Sequence, residues 1–132
     1  MSSIDILQPV DIEDEVRQAL SEYLTAYVRP LPEEFNLPCV LVSATGGNTR
    51  DTIDTFNITL SVRAETDAQA FEVTRKAQGI LEARCASQFG ALRSCAINSL
   101  ASWGTDPARP DLKLCTLTAS VTAHRESVTI TE

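Results

Sequence analysis

Two long stretches of this chain alternate apolar and polar side chains so regularly that they leave little freedom in how it folds. In residues 52–64, Phe56, Ile58, Leu60 and Val62 point one way, and Thr55, Asn57, Thr59, Ser61 and Arg63 point the other. In residues 112–124, Cys115, Leu117, Ala119, Val121 and Ala123 share one side, and Thr116, Thr118, Ser120, Thr122 and His124 the other. A period of two is the signature of a half-buried strand. Both stretches therefore demand a sheet with one face against a core and one face that is polar and rich in hydroxyls.

Helical periodicity precedes each strand pair. Ile12, Val16, Ala19, Leu20, Tyr23, Tyr27 and Val28 fall at helical spacing and predict a helix over 11–28. Asp11 is its N-cap, and Glu13, Asp14 and Glu15 occupy the first turn, where negative charge complements the helix dipole. Arg29-Pro30-Leu31-Pro32 ends it. Residues 39–44 read as an interior strand, because consecutive apolar side chains imply burial on both sides. Thr45 to Arg50 reads as a turn-rich loop around Gly46-Gly47. Thr66-Asp67-Ala68-Gln69 is a capping box opening a second helix that extends to about Gln88. Its stripe is Ala70, Phe71, Val73, Ala77, Ile80 and Leu81, and Gly90 is its stop. Gly79 inside that helix costs about 1 kcal/mol relative to Ala, a cost that a close helix–sheet approach or simple tolerance can account for. A less regular strand covers 92–103, and 104–110 is a loop.

The expected fold class is α+β in the order α-β-β-α-β-β: a four-stranded, largely antiparallel sheet with two helices packed on one face. Residues 1–10 form an N-terminal arm, 11–125 a single domain and 126–132 a C-terminal tail. The tail alternates again and suits an exchanged strand. A chain of 132 residues can bury a core without a disulfide or metal.

The chain has a formal net charge of -7, concentrated at the front: residues 1–36 carry eight acids against Arg17 and Arg29. Such a balance disfavours sequence-independent binding to nucleic acid. The four cysteines, Cys39, Cys85, Cys95 and Cys115, form no CxxC pair and read as reduced, mostly buried small hydrophobes. The N-terminus lacks a basic region followed by an apolar run, so no secretory signal is expected. No stretch is apolar enough to span a bilayer.

No catalytic constellation emerges. The one histidine, His124, lies nine positions from Cys115, and on a regular strand an odd offset sends the two to opposite faces. GxSxG, HExxH and a glycine-rich phosphate loop are all missing from the sequence. Asp51 and Asp54 fit turn-forming, solvating acids better than a cation site or an acid pair. Catalytic, cofactor and metal residues are therefore expected to be none, and the chain is not expected to be an enzyme.

Leu37-Pro38-Cys39-Val40-Leu41-Val42 followed by Gly46-Gly47, a strand ending Ser61-Val62-Arg63-Ala64, a helix opening near Asp67, the loop Trp103-Gly104-Thr105-Asp106-Pro107-Ala108-Arg109-Pro110 and a threonine-rich last strand come in an order that resembles the tail-terminator (tail-completion) proteins of long-tailed bacteriophages and prophages. The resemblance spans about residues 10–124. It implies a virion structural protein assembled in the host cytoplasm: a ring, typically of six copies, that caps the head-proximal end of the tail tube. Such a ring stops polymerisation, docks the head–tail connector protein, and lets DNA pass through its bore without specific binding. Its partners would be itself, the tail tube protein and the connector, with no membrane and no cofactor. Under that resemblance the interface candidates are Gly46, Gly47, Asn48, Arg50, Trp103, Asp106 and Arg109. The bore-facing candidates are Asp51, Asp54 and the polar sheet face. The runner-up is another neck component such as a head-closure protein; a small thiol-dependent enzyme and a monomeric acidic binding module come further behind.

Overall fold

The computed structural model describes residues 2–132. The elements run β1 (Ser3–Gln8), α1 (Ile12–Ser21), β2 (Ala26–Val28), β3 (Cys39–Arg50), β4 (Ile53–Ala64), α2 (Asp67–Ala86), β5 (Leu92–Gly104), β6 (Lys113–Ala123) and β7 (Glu126–Thr131). Among the described residues the fold is α+β, with two helices and mostly antiparallel pairing. The sheet is not four-stranded as expected. It has five strands in the order β2-β3-β4-β6-β5, and β1 and β7 form a second, two-stranded sheet.

The period-two pattern sets the register. Val62 lies between Val40 and Cys115, Leu60 between Val42 and Leu117, and Ile58 between Ala44 and Ala119. These rows form one face. Val16, Ala19 and Leu20 of α1 and Val73, Ala77, Leu81 and Cys85 of α2 close over most of it in the main core, while Cys115 packs with Ala64 and Ala70 in a smaller one. Each large side chain fully buried there contributes about 1.5–3 kcal/mol relative to exposure. In α2, Phe71 departs from its expected place in the buried stripe and is 42% exposed, while Thr74 is buried and donates to the Ala70 carbonyl at 2.8 Å.

The first helix is shorter than its spacing predicts. It ends at Ser21, where the amides of Tyr23 and Leu24 close onto the Leu20 carbonyl. Ala26–Val28 instead becomes β2, parallel to β3, with Ala26 opposite Val40 and Val28 opposite Val42. Tyr27 and Val28 favour extended backbone, Pro30 prevents helix beyond them, and the open edge of β3 offers their amides a ladder. The helical spacing of Tyr23, Tyr27 and Val28 is thus coincidental.

Residues 45–50 are not a loop but the outer half of β3, in a long hairpin with β4. A bulge between Ala44 and Gly47 makes this possible. The bulge frees the Ala44 amide, and Glu13 of α1 accepts it at 2.8 Å. At Gly47 the backbone passes so close to β4 that a Cβ would sit 2.0 Å from the Thr55 carbonyl oxygen. The turn is Asp51-Thr52, with φ of 52° and 64°. Two left-handed residues make the tight hairpin turn that matches strand twist, although a β-branched threonine tolerates that region badly.

The caps are as the sequence predicts. Asp11 accepts the Asp14 amide, and Thr66 accepts the Gln69 amide at 3.2 Å. The Gln69 side chain reaches back to Glu65, one residue beyond the usual capping-box position. Gly90 is left-handed at φ 54°. No close approach explains Gly79, because a Cβ there would meet nothing within 4 Å.

Gly47→Ala is expected to destabilise the fold by about 2–3 kcal/mol, since backbone must move to admit the methyl group; urea unfolding measures it. Thr52→Gly is expected to stabilise by about 1 kcal/mol through relief of the left-handed threonine, read as a raised midpoint in the same titration.

Candidate assembly surfaces

The side of the sheet away from the helices carries rows of hydroxyls across four strands. Ser43, Thr59, Thr118 and Ser99 share one row, and Ser61, Thr116 and Ser102 the next. Thr55, Thr122 and Ser94 form another, and Asn57 and Ser120 lie between. Between β5 and β6 these groups satisfy one another. Asn98 Nδ2 donates to Ser120 Oγ at 2.8 Å, Ser102 Oγ meets Thr116 Oγ1 at 3.1 Å, and Ser94 bonds Thr122. Polar groups that are already paired lie flat on the sheet and hold a hydrated surface with little side-chain entropy left to lose.

Arg63 is the charged member of the β4 series, and it is neutralised. Its Nε donates to Asp106 at 3.1 Å, with both side chains largely buried. Asp106 also accepts the Ala108 amide at 3.0 Å. That bond, together with the Arg63 guanidinium, holds its carboxyl below the usual aspartate range. Asp106 therefore organises the 104–110 loop, and it is not free for a partner as expected of an interface residue. Arg63 Nη1 is left buried without a partner.

Asp54 is likewise engaged within the chain. A bore-facing candidate from the sequence, it is only 3% exposed. Arg125 grips it with two bonds, Nε to Oδ2 at 2.9 Å and Nη2 to Oδ1 at 2.8 Å, and Thr49 donates a third at 2.7 Å. The Arg125 bonds first, and then Thr49, hold the Asp54 carboxyl below its ordinary range against the opposing effect of burial. The arrangement ties the start of β7 to the β3–β4 hairpin. Asp51, by contrast, is exposed at the hairpin tip beside exposed Arg50, and Asn48 is exposed on β3. Gly46 and Gly47 serve the bulge. Arg109 pairs with Asp111 at 3.1 Å and lies over the Phe35 ring.

Trp103 is 55% exposed and stacks on Phe71 with ring centroids 6.1 Å apart. Beside this pair Leu100 is 69% exposed, and a groove of about 480 Å³ runs between α2 and β5, lined by Phe71, Arg75, Gly79, Glu82 and Leu100. Sequence reading found Trp103 through its loop. It missed Phe71 and Leu100, because a helical stripe and an irregular strand gave no sign of which member faces out. It also missed Arg125, whose partner lies 71 positions away.

The cysteines lie where expected: Cys39, Cys85 and Cys115 are buried and Cys95 half-buried, all as free thiols. The neighbouring Cys95 and burial push the Cys85 thiol up, and burial pushes up Cys39. His124 is exposed, with its Nδ1 3.4 Å from Arg93. Among the described residues no helix is long and apolar enough to cross a membrane. Neither protein-family models nor the curated proteins yield a match to this chain.

Asp54 supplies a pH prediction. Its folded-state carboxyl titrates below the unfolded one, so its contribution is complete above the ordinary aspartate pKa of about 3.9 and fades as pH falls through the lower folded value. Asp54→Asn is expected to lower the melting temperature at pH 7 and to flatten its decline below pH 4. Thermal melts of both proteins from pH 2 to 7 measure this.

Proposed function

We propose that this chain is a structural virion protein that assembles into a ring of six copies at the head-proximal end of a long-tailed phage tail tube. The ring ends tube polymerisation and presents the surface on which the head connector docks. One observation carries the reading: a four-strand-wide sheet face rich in hydroxyls, paired with one another between β5 and β6, with its one β4 charge neutralised, in a chain of formal net charge -7. Copies turned so that this face lines the bore give DNA a hydrated wall. Phosphates meeting such a wall find no array of cations to displace their counterions, so the strand slides without sticking.

The register supports a division of labour between the two ends of the sheet. The Asp51-Thr52 turn lies at one end of β4, and the loop organised by Asp106 lies at the other, next to Ala64 and Lys113. A ring built from such wedges has two unlike rims, one for the tube and one for the connector. Closed rings need unlike patches that meet around the circle, and loops and arms outside the core are free to supply them.

The test mixes the purified protein with uncapped tail tubes and, separately, with portal-bearing heads, and images both by electron microscopy. The expected outcome is a ring on one end of each tube and arrested growth. Binding to heads with bare tubes would instead assign the chain to head closure. In the same assay Arg50→Glu or Asp51→Lys is expected to impair capping while circular dichroism stays unchanged, because neither residue is buried. Charge reversal at Asp106 is expected to destabilise the fold itself, because it would strand Arg63.

A further inference from the structure

Two apolar surfaces of this chain are left without a partner inside it. The first belongs to the ribbon of β1 and β7. Ile4 stands opposite Ile130 and Ile6 opposite Val128, so all four share one face. Ile4 is 59% and Ile130 50% exposed. The ribbon's substantial contacts are between its own two strands. A lone two-stranded ribbon is marginal in water and gains independent stability only by packing on something else. The second surface is the groove between α2 and β5, with Phe71 and Leu100 on its walls and Gly79 leaving its floor bare.

The two surfaces complement each other. Ribbon strands of six residues are about 20 Å long, and the groove from Phe71 to Glu82 runs about 16 Å along the helix. By the same alternation Glu126, and Glu132 just beyond β7, share the apolar face with Val128 and Ile130, Asp5 lies on the opposite face, and neither strand carries a base. Arg75, on the groove, lies over the Phe71 ring and has no carboxylate partner among the described residues. Glu82 marks the far end of the groove. Within the chain the ribbon does not lie in this groove: neither β1 nor β7 makes substantial contact with α2 or β5.

We propose that the ribbon of one copy lies in the α2–β5 groove of the next, with Ile4 and Ile130 against Phe71 and Leu100 and Glu132 toward Arg75. The contact is head-to-tail, since each copy offers a ribbon at one place and a groove at another, and it rests on the ring reading only for its closure. It also gives Gly79 a reason: any side chain there would fill the floor on which the ribbon sits.

The test places the photo-crosslinker benzoylphenylalanine at position 4 of the full chain. It maps inter-chain adducts by mass spectrometry, alone and on tail tubes, beside sedimentation velocity. Adducts within 71–82 or 98–103 of another copy are expected. Gly79→Glu, which adds bulk and like charge at an exposed helical site, should cut them roughly tenfold, with Gly79→Ala retaining more and circular dichroism unchanged for both. Rings whose adducts map elsewhere overturn this contact and leave the ring reading standing. Groove adducts in dimers or open chains uphold the contact and remove the ring. No inter-chain adduct in either setting overturns the contact.

Discussion

The antiparallel pairing of β4 with β6 is the constraint on which the rest of the structure depends. It runs without a register break from Asp54 opposite Ala123 to Ala64 opposite Lys113. Because side chains alternate, a slip of one residue would turn Leu60, Val62 and Leu117 into solvent and bring the threonines into the core. That penalty fixes the pair, and the pair fixes everything beside it. β3 joins one flank and β5 the other. The helices settle on the only face that is apolar. The irregularities collect outward from this centre: the bulge at Ala44/Gly47 on β3 and the register shifts along β5. Breaks of that kind on an edge strand discourage uncontrolled pairing with other sheets.

What could be read in advance follows from the range of the physics involved. Periodicity and capping are local, so β4, β6, both helix starts and the core positions from Ile58 to Val121 were legible. The end of α1 was not, because Tyr27 and Val28 suit helical spacing and an extended edge alike, and only the neighbouring β3 decides between them. Pairing of the first and last strands was invisible for a related reason. It joins Ser3 to Thr131 across the whole chain, and neither strand alone states its partner.

The candidate site divides along the same line. The hydroxyl face came directly from alternation. The fate of single charges did not. Asp54 and Asp106 look like free acids beside turns, yet each answers to an arginine far away in sequence, Arg125 and Arg63. A carboxylate in a turn-rich stretch is ambiguous until its counter-ion is known. Glu13 carries the same lesson: besides opening α1, it receives the amide that the β3 bulge releases and bonds Arg29 at 3.0 Å. Burial opposes its ionised form, but the Arg29 and Ala44 bonds outweigh burial and keep its pKa low.

The clasp of Arg125 on Asp54 and Thr49 has a mechanical consequence. The guanidinium sits just after β6 and just before the ribbon, and its bonds end on two different strands, β4 and β3. Tension arriving along the ribbon meets this bracket before it reaches the last rungs of β6. The strain is then spread sideways as shear through three strands, and it does not peel one strand from the edge of its neighbour. The ribbon's root is in this way held by two strands besides the one it continues.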